Sequence, residues 1–125
     1  MINSVEDLVV FQKAHKLTLE LYGCTSDFPA EEKFGMISQI RRAASSICAN
    51  LMEGSHRHNT TEYRQFVGIA RGSAGELKYF LLLARDLGYM NTETYEEIIR
   101  QINQVSRMLS ALSNSLEKKV HLHSQ

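Results

Sequence analysis

The chain has 125 residues, of which fourteen are basic and fourteen acidic, so its formal net charge at neutral pH is zero. This length is typical of one domain that buries about two-thirds of its unfolded surface without disulfides or metal ions. A neutral total argues against strong nonspecific binding to nucleic acid, because that affinity grows with the number of phosphates that a protein neutralises. It leaves room for a local basic surface.

The N-terminal residues and the two cysteines indicate a soluble cytoplasmic protein. The first residues, MINSVEDL, lack the basic and apolar regions of a secretion signal, and no apolar run approaches the ~18 residues of a membrane span. Cys24 and Cys48 each stand alone in a helical pattern, which favours buried free thiols over a redox pair or a zinc cluster. We expect no membrane binding and no cofactor.

Helical periodicity runs through almost the whole chain. The first helix is expected to begin at a capping-box-like Ser4, and it ends before Pro29 because the residue before a proline is driven out of the helical region. A turn over residues 30–33 follows, Asn59 or Thr60 caps the third helix, and Gly88 ends it. The expected helices cover residues 4–26, 36–55, 60–87 and 92–116.

These four helices are joined by short links and no strand pattern competes with them. Such an arrangement packs most simply as an all-α, antiparallel up-down-up-down four-helix bundle. We assign the bundle to residues 1–116. Residues 117–125 lose the apolar repeat and are expected to form a frayed tail.

The second helix carries two opposite stripes. Its apolar residues recur every three or four positions, which predicts a buried face, and its polar residues fall within an ~80° arc almost opposite. Directional hydrogen-bonding groups dominate this arc, so it is either an ordinary solvated face or an organised recognition surface. The apolar stripe is Met36, Ile40, Ala43, Ile47 and Leu51, and the polar stripe is Gln39, Arg42, Ser46, Asn50, Glu53 and Arg57.

The third helix carries a basic stripe interrupted by glycines. Three helical glycines cost about 1 kcal/mol each relative to alanine, so they predict that something approaches this backbone closely. A neighbouring helix of this chain or of another subunit, a phosphate backbone along the stripe, and chance are the alternatives. The stripe contains Arg64, Gly68, Arg71, Gly75, Lys78 and Arg85 with Gly72 beside it, and the predicted apolar face contains Phe66, Ile69, Ala70, Ala74, Leu77, Leu81 and Ala84.

Two carboxylates are expected to bind arginines. Glu76 lies at the border of the apolar arc that contains Ser73, where it is expected to be partly buried and to pair with Arg41 or Arg42 of the second helix. Glu53 has Arg57 one turn later. A pair that fixes helix register is the favoured interpretation. A catalytic acid and base would need a cleft and a second convergent polar group, so no catalytic residue is assigned.

The histidines give only weak metal signals. In His56-Arg57-His58 and His121-Leu122-His123 the two histidines point apart on a helix, and no nearby ligand completes a tetrahedral set. We expect no metal site.

Short motifs follow one another in a fixed order over about residues 5–116. They are Phe28-Pro29, Glu32, Phe34-Gly35, Gln39 to Ala44, Ser46-Ile47, Asn50, Glu53-Gly54, Arg57, Ile69 to Ser73, Glu76 and Leu87 to Tyr89. Together they resemble the four helix bundle protein family. That family includes the proteins encoded in 23S rRNA intervening sequences, long labelled S23 ribosomal proteins, and it is similar to the accessory variability determinants of diversity-generating retroelements.

The resemblance implies a quaternary structure and partners. Similar proteins form ring-like homopentamers, and the retroelement relatives use a basic surface to bind nucleic acid and reverse transcriptase. The preferred hypothesis is therefore a non-enzymatic oligomeric adaptor that binds RNA or DNA, alone or with a protein such as reverse transcriptase. Its nucleic-acid contacts are expected at Arg41, Arg42, Arg57, Arg64 and Arg71.

A second hypothesis is a structural homo-oligomer that has protein partners only. The polar and glycine residues would then make contacts within or between subunits. These residues are Asn50, Glu53, Gly68, Gly72, Ser73, Gly75 and Glu76. Salt-dependent binding to RNA and DNA separates the two hypotheses, because an electrostatic site must weaken as salt rises.

Overall fold

The computed structural model describes residues 4–124, and side chains as far as residue 121. Within this range the chain forms four α-helices and two short 3-10 turns, with no strand, which confirms the all-α bundle. The helices are α1 (Val9–Thr25), α2 (Met36–Ser55), α3 (Thr60–Asp86) and α4 (Thr92–Ser124). The bounds of α2 agree with the sequence-based expectation, and those of α3 agree to within one residue.

The beginning of α1 and the end of α4 differ from expectation. Residues Val5–Asp7 form a 3-10 turn, Ser4 makes no capping side-chain bond, and Leu8 is extended, so α1 begins only at Val9. Val5, the first residue of this turn, is buried in the core. At the other end α4 continues to Ser124 instead of ending at 116, although Leu116 is the last residue of its buried apolar repeat. Fraying of residues 117–125 stays a prediction.

Local chemistry explains the ends of α3 and the start of α4. Asn59 Oδ1 accepts a hydrogen bond from the backbone N–H of Glu62 at 2.8 Å, and Asn91 Oδ1 accepts one from Thr94 at 2.7 Å. These side chains satisfy donors that the first helical turn leaves unpaired. Gly88 has φ +81°, a conformation that strains residues with a Cβ, so glycine is suited to the end of α3.

The core lies along the inner faces of all four helices. The most extensive helix contacts join α2 to α3 and α3 to α4, while α1 packs less extensively against α2 and α4. The five apolar residues predicted for α2 are all buried. Ile69 is an exception among those predicted for α3, since it is 51% exposed. No helix within residues 4–124 has the length and apolar character needed to cross a bilayer.

The two loops at one end of the bundle are bonded to each other. Tyr89 Oη donates to Glu32 Oε2 at 3.0 Å, and Glu32 Oε1 accepts from the backbone N–H of Met36 at 3.3 Å, in the first turn of α2. The ring of Tyr89 also packs on Phe28, with centroids 5.6 Å apart. Glu32 therefore links the start of α2 to the loop between α3 and α4.

Candidate nucleic-acid interface

The middle of the polar stripe on α2 faces α3. Ser46 Oγ lies 2.9 Å from Ser73 Oγ, and Asn50 Nδ2 donates to Ser46 Oγ at 2.9 Å and to the Ser46 carbonyl at 2.8 Å. All three residues are half-buried, whereas the ends of the stripe are exposed. The stripe is therefore only partly solvated, because its centre supplies hydrogen bonds between two packed helices.

Glu76 binds Arg42, one of the two arginines expected to pair with it. Arg42 Nη2 lies 2.6 Å from Glu76 Oε1, and Gln39 Oε1 accepts two further hydrogen bonds from the same guanidinium. The side chains of Arg42 and Glu76 remain 52% and 44% exposed. Water screens such a pair, so its stabilisation is about 0–1 kcal/mol. The partial burial expected for Glu76 was wrong.

Glu53 and Arg57 form a second exposed pair near the end of α2. Arg57 Nη2 lies 2.8 Å from Glu53 Oε1, one helical turn earlier. The Arg57 guanidinium also lies 4.6 Å from the centroid of the Phe66 ring of α3. A cation above an aromatic face is attracted by the ring's electrons, so this arginine is directed towards α3.

Arg41 points away from the other arginines, towards α1. Its Nε donates to Thr25 Oγ1 at 3.0 Å and its Nη2 to the Tyr22 carbonyl at 3.1 Å. The guanidinium lies 4.5 Å from the centroid of the Tyr22 ring. Arg41 and Arg42 are neighbours in sequence but bind opposite neighbours of α2, since successive helical residues diverge by about 100°. The structure does not bring them together.

Arg64 and Arg71 line an open cleft of about 560 Å³ between the first half of α3 and the second half of α4. Arg64 Nε donates to the Ser113 carbonyl at 3.3 Å, and Arg64 Nη2 lies 3.4 Å from Glu117 Oε2. Arg71 is exposed and makes no hydrogen bond or ion pair with any described residue. The cleft is lined by Thr61, Arg64, Gln65, Gly68 and Arg71 of α3, and by Ser113, Glu117, Val120 and His121 of α4.

The five candidate arginines therefore do not form one continuous patch. Arg42, Arg57 and Arg64 each lie beside a carboxylate of the same chain, and Arg41 is bonded to α1. The excess of positive charge in residues 39–72 is partly neutralised by Glu76 and Glu117, which lie outside that segment. Arg71 is the candidate whose charge is most available to a ligand.

The close approach of a neighbour to a helical glycine occurs at Gly54, not at the three glycines of the α3 stripe. A Cβ on Gly54 would lie 2.8 Å from Phe66 Cβ and 2.9 Å from Tyr63 Cδ1. A Cβ on Gly68, Gly72 or Gly75 would meet no described atom within 4 Å. No described helix packs closely against these three glycines, although α4 lies across the open cleft from Gly68, and contact with another subunit or with phosphate stays a prediction.

Burial and hydrogen bonding raise the pKa values of both cysteine thiols and of a tyrosine hydroxyl. Burial raises the pKa of the Cys48 thiol to about 11, and burial together with Glu20 and Asp27 raises that of Cys24. The hydrogen bond to Glu32, with a smaller contribution from burial, raises the pKa of the Tyr89 hydroxyl. Among the described residues, no group of three or more His, Cys, Asp or Glu side chains is placed to hold a metal ion. His123 lies beyond the described side chains.

The contribution of α4 to the cleft was not predicted from the sequence. Glu117, Val120 and His121 belong to the segment that was assigned to a frayed tail, yet they line the cleft opposite Arg64. Their spacing could have predicted it, because residues 113, 117, 120 and 121 share one face of a continuous helix. Residue types alone did not reveal it, since the face is polar rather than apolar.

Comparison with known proteins places the chain in a family. Residues 6–111 match the model of the 23S rRNA-intervening sequence protein family. A solved structure described as a protein with unknown function from the S23 ribosomal protein family, from Bacteroides thetaiotaomicron VPI-5482, is similar, with a TM-score of 0.76 and 25% sequence identity. The match covers 84% of this chain and 98% of that one. No curated protein matches the chain.

Proposed function

The chain belongs to the 23S rRNA-intervening sequence protein family, and we propose that it is a non-enzymatic, cytoplasmic adaptor that binds nucleic acid. RNA is the preferred ligand and DNA the alternative. The adaptor assembles with copies of itself, for which a homopentamer is the form that the resemblance implies. A nucleic-acid enzyme such as a reverse transcriptase is the protein partner that the same resemblance implies.

The observation that carries this proposal is the exposed pair of arginines on α3. Arg64 and Arg71 line the same cleft, and the formal charge of the cleft at neutral pH is +1 when Glu117 is counted. The arginine side chain presents five N–H donors in a fixed plane, which suits the oxygens of a phosphate. One chain with a net charge of zero is expected to bind nucleic acid weakly, and repetition of the cleft in the proposed oligomer would raise the local positive charge and the affinity.

Binding to single-stranded RNA, measured against salt by fluorescence anisotropy, tests the function. We expect weak, sequence-tolerant binding at ~50 mM salt and a negative slope of log affinity against log salt. The double variant Arg64→Ala/Arg71→Ala should lower both the affinity and the slope while its circular dichroism spectrum stays unchanged. Absence of binding by the wild type to both RNA and DNA would remove the nucleic-acid proposal.

Assembly is tested separately by sedimentation. Leu19 on α1 and Ile69 on α3 are apolar but 60% and 51% exposed, and their burial against another copy of the chain would favour self-association. We expect a species several times heavier than the 14.2 kDa chain at micromolar concentration. A monomer alone would contradict the oligomeric part of the proposal.

A structural homo-oligomer with protein partners only is the second candidate function. The observation that favours it is that Arg42, Arg57 and Arg64 are engaged by carboxylates of their own chain. An oligomer that binds neither RNA nor DNA at low salt would support this candidate.

A further inference from the structure

The cleft between α3 and α4 combines a fixed arginine with an available one. Arg64 is held across the cleft by its bond to the Ser113 carbonyl, whereas Arg71 makes no bond to any residue in the described part of the chain. Seven residues separate them, which corresponds to about 10.5 Å along the axis of α3. An anion that enters between them meets positive charge on both sides.

Gly68 leaves the cleft open midway between these arginines. It lies on the wall of α3 that faces the cleft, and a Cβ built there has no described atom within 4 Å. The absence of a side chain also exposes the helix backbone at this point. A long side chain at position 68 would therefore project into the cleft without displacing the core.

Glu117 is the acidic residue of the cleft and competes with an incoming anion. It lies 3.4 Å from Arg64 and 3.9 Å from the imidazole Nε2 of His121. The Glu117 and Arg64 side chains are 46% and 43% exposed, so water screens their attraction and the pair is weak. A phosphate oxygen can therefore replace Glu117 as the partner of Arg64 at a small cost in free energy, because the guanidinium exchanges one oxyanion for another.

We propose that this cleft binds a backbone phosphate of a nucleic-acid strand between Arg64 and Arg71, with Gly68 providing the space and Glu117 limiting the affinity. Gln65 adds an amide N–H donor on the same wall of α3. The inference rests on the proposed nucleic-acid function and assigns its site. Arg41 is not part of this site, because its side chain is bonded to Thr25 of α1, on the side of α2 that faces away from α3.

The test uses single-stranded RNA at ~50 mM salt. For each phosphate contact, the affinity for a single strand varies with the salt concentration to the power of about −0.7, so at ~50 mM one contact raises the affinity about eightfold over its value at ~1 M. Arg71→Ala should weaken binding by this factor and reduce the salt slope by about 0.7. Arg100→Ala is the matched control, since Arg100 is an exposed arginine on α4 well before the cleft. It should retain wild-type affinity.

Two further variants separate the cleft from general charge. Gly68→Glu should abolish binding, while Gly23→Glu, which changes the net charge equally on exposed backbone of α1, should have little effect. Glu117→Gln should tighten binding by up to about fivefold, the factor that an exposed charge pair supplies. Melting temperature and sedimentation confirm that each variant keeps its fold and assembly.

The outcomes distinguish the site from the function. If the wild type binds RNA but Arg71→Ala and Gly68→Glu bind equally well, the cleft is not the site and the function stands. Equal losses in Arg71→Ala and Arg100→Ala would also overturn the site. If the wild type binds no RNA or DNA, the function and the site are both rejected.

Discussion

Substitution of Gly54 by alanine tests the packing of α2 against α3. Gly54 is buried at the end of α2, and an added Cβ would lie 2.8 Å from Phe66 Cβ, 2.9 Å from Tyr63 Cδ1 and 3.3 Å from the Tyr63 carbonyl oxygen. Carbon atoms pack best at about 3.5–4.0 Å, so the helices must separate by roughly 0.7 Å. Phe66 Cβ and the Tyr63 carbonyl are attached to or part of the backbone, and a side-chain rotation alone cannot relieve these contacts.

Two opposing effects set the magnitude of the Gly54→Ala change. Overpacking costs about 1–3 kcal/mol, and alanine returns about 1 kcal/mol of helix propensity relative to glycine. The 2.8 Å contact with Phe66 Cβ, which moves only with its backbone, places the cost near the top of that range. We expect a net loss of about 1–2 kcal/mol in the free energy of unfolding, or on the order of 5 °C in Tm.

Urea and thermal unfolding followed by circular dichroism measure this loss. Gly23→Ala is the control, because Gly23 lies within α1 where an added Cβ meets no described atom within 4 Å. It should leave stability unchanged or raise it by up to about 1 kcal/mol. If Gly54→Ala is as stable as the wild type while Gly23→Ala gives the expected result, the close approach of the two helices is refuted.

Three other predictions follow from exposure and pKa. Glu76→Ala should lower the free energy of unfolding by no more than about 1 kcal/mol, because the Arg42 pair is exposed, and a loss of 3 kcal/mol or more in urea unfolding would contradict this. Cys48 should react with a chromogenic disulfide at about pH 8 roughly 100-fold more slowly in the native than in the unfolded protein, measured in a Cys24→Ser variant. The reason is that a pKa of about 11 leaves only about a thousandth of the Cys48 thiol as thiolate at this pH. Equal rates in the two states would be inconsistent with the burial of Cys48. The raised pKa of Tyr89 means that its bond to Glu32 supports the fold below the unfolded value of about 10 and is lost as pH rises through the higher folded pKa. Tyrosinate absorbance of the wild type minus that of Tyr89→Phe should therefore appear above pH 10, and a midpoint at or below about 10 would disprove the bond.

The sequence was sufficient to predict the helices but not which neighbour covers each helix face. Periodicity correctly placed Met36, Ile40 and Leu51 in the core, since a buried stripe leaves a regular apolar repeat. It failed at Ile69, because an apolar residue at the edge of a stripe is buried only if another helix reaches it. The start of α1 was also missed, since Ser4 makes no capping bond and the residues after it form a 3-10 turn with Val5 buried.

The candidate site was harder to predict because its parts are far apart in sequence. Arg64 and Glu117 come together only when α3 and α4 pack side by side. They are 53 positions apart in the sequence, and a local motif cannot predict a contact over such a separation. Arg41 and Arg42 were assigned to the same basic surface, yet helix geometry directs them to different partners. The pairing of Glu76 with α2 could be predicted, since it required only that two long apolar stripes face each other.

The arrangement of arginines beside carboxylates has a consequence for how this protein can change over evolution or by engineering. Glu53, Glu76 and Glu117 each lie beside one arginine on the surface, and none of them belongs to the apolar core. Replacement of any one by a neutral residue unmasks a positive charge that is already in place, at little cost to folding. The attraction of this surface for polyanions can thus be adjusted in single steps by acidic residues, without the introduction of any new basic residue.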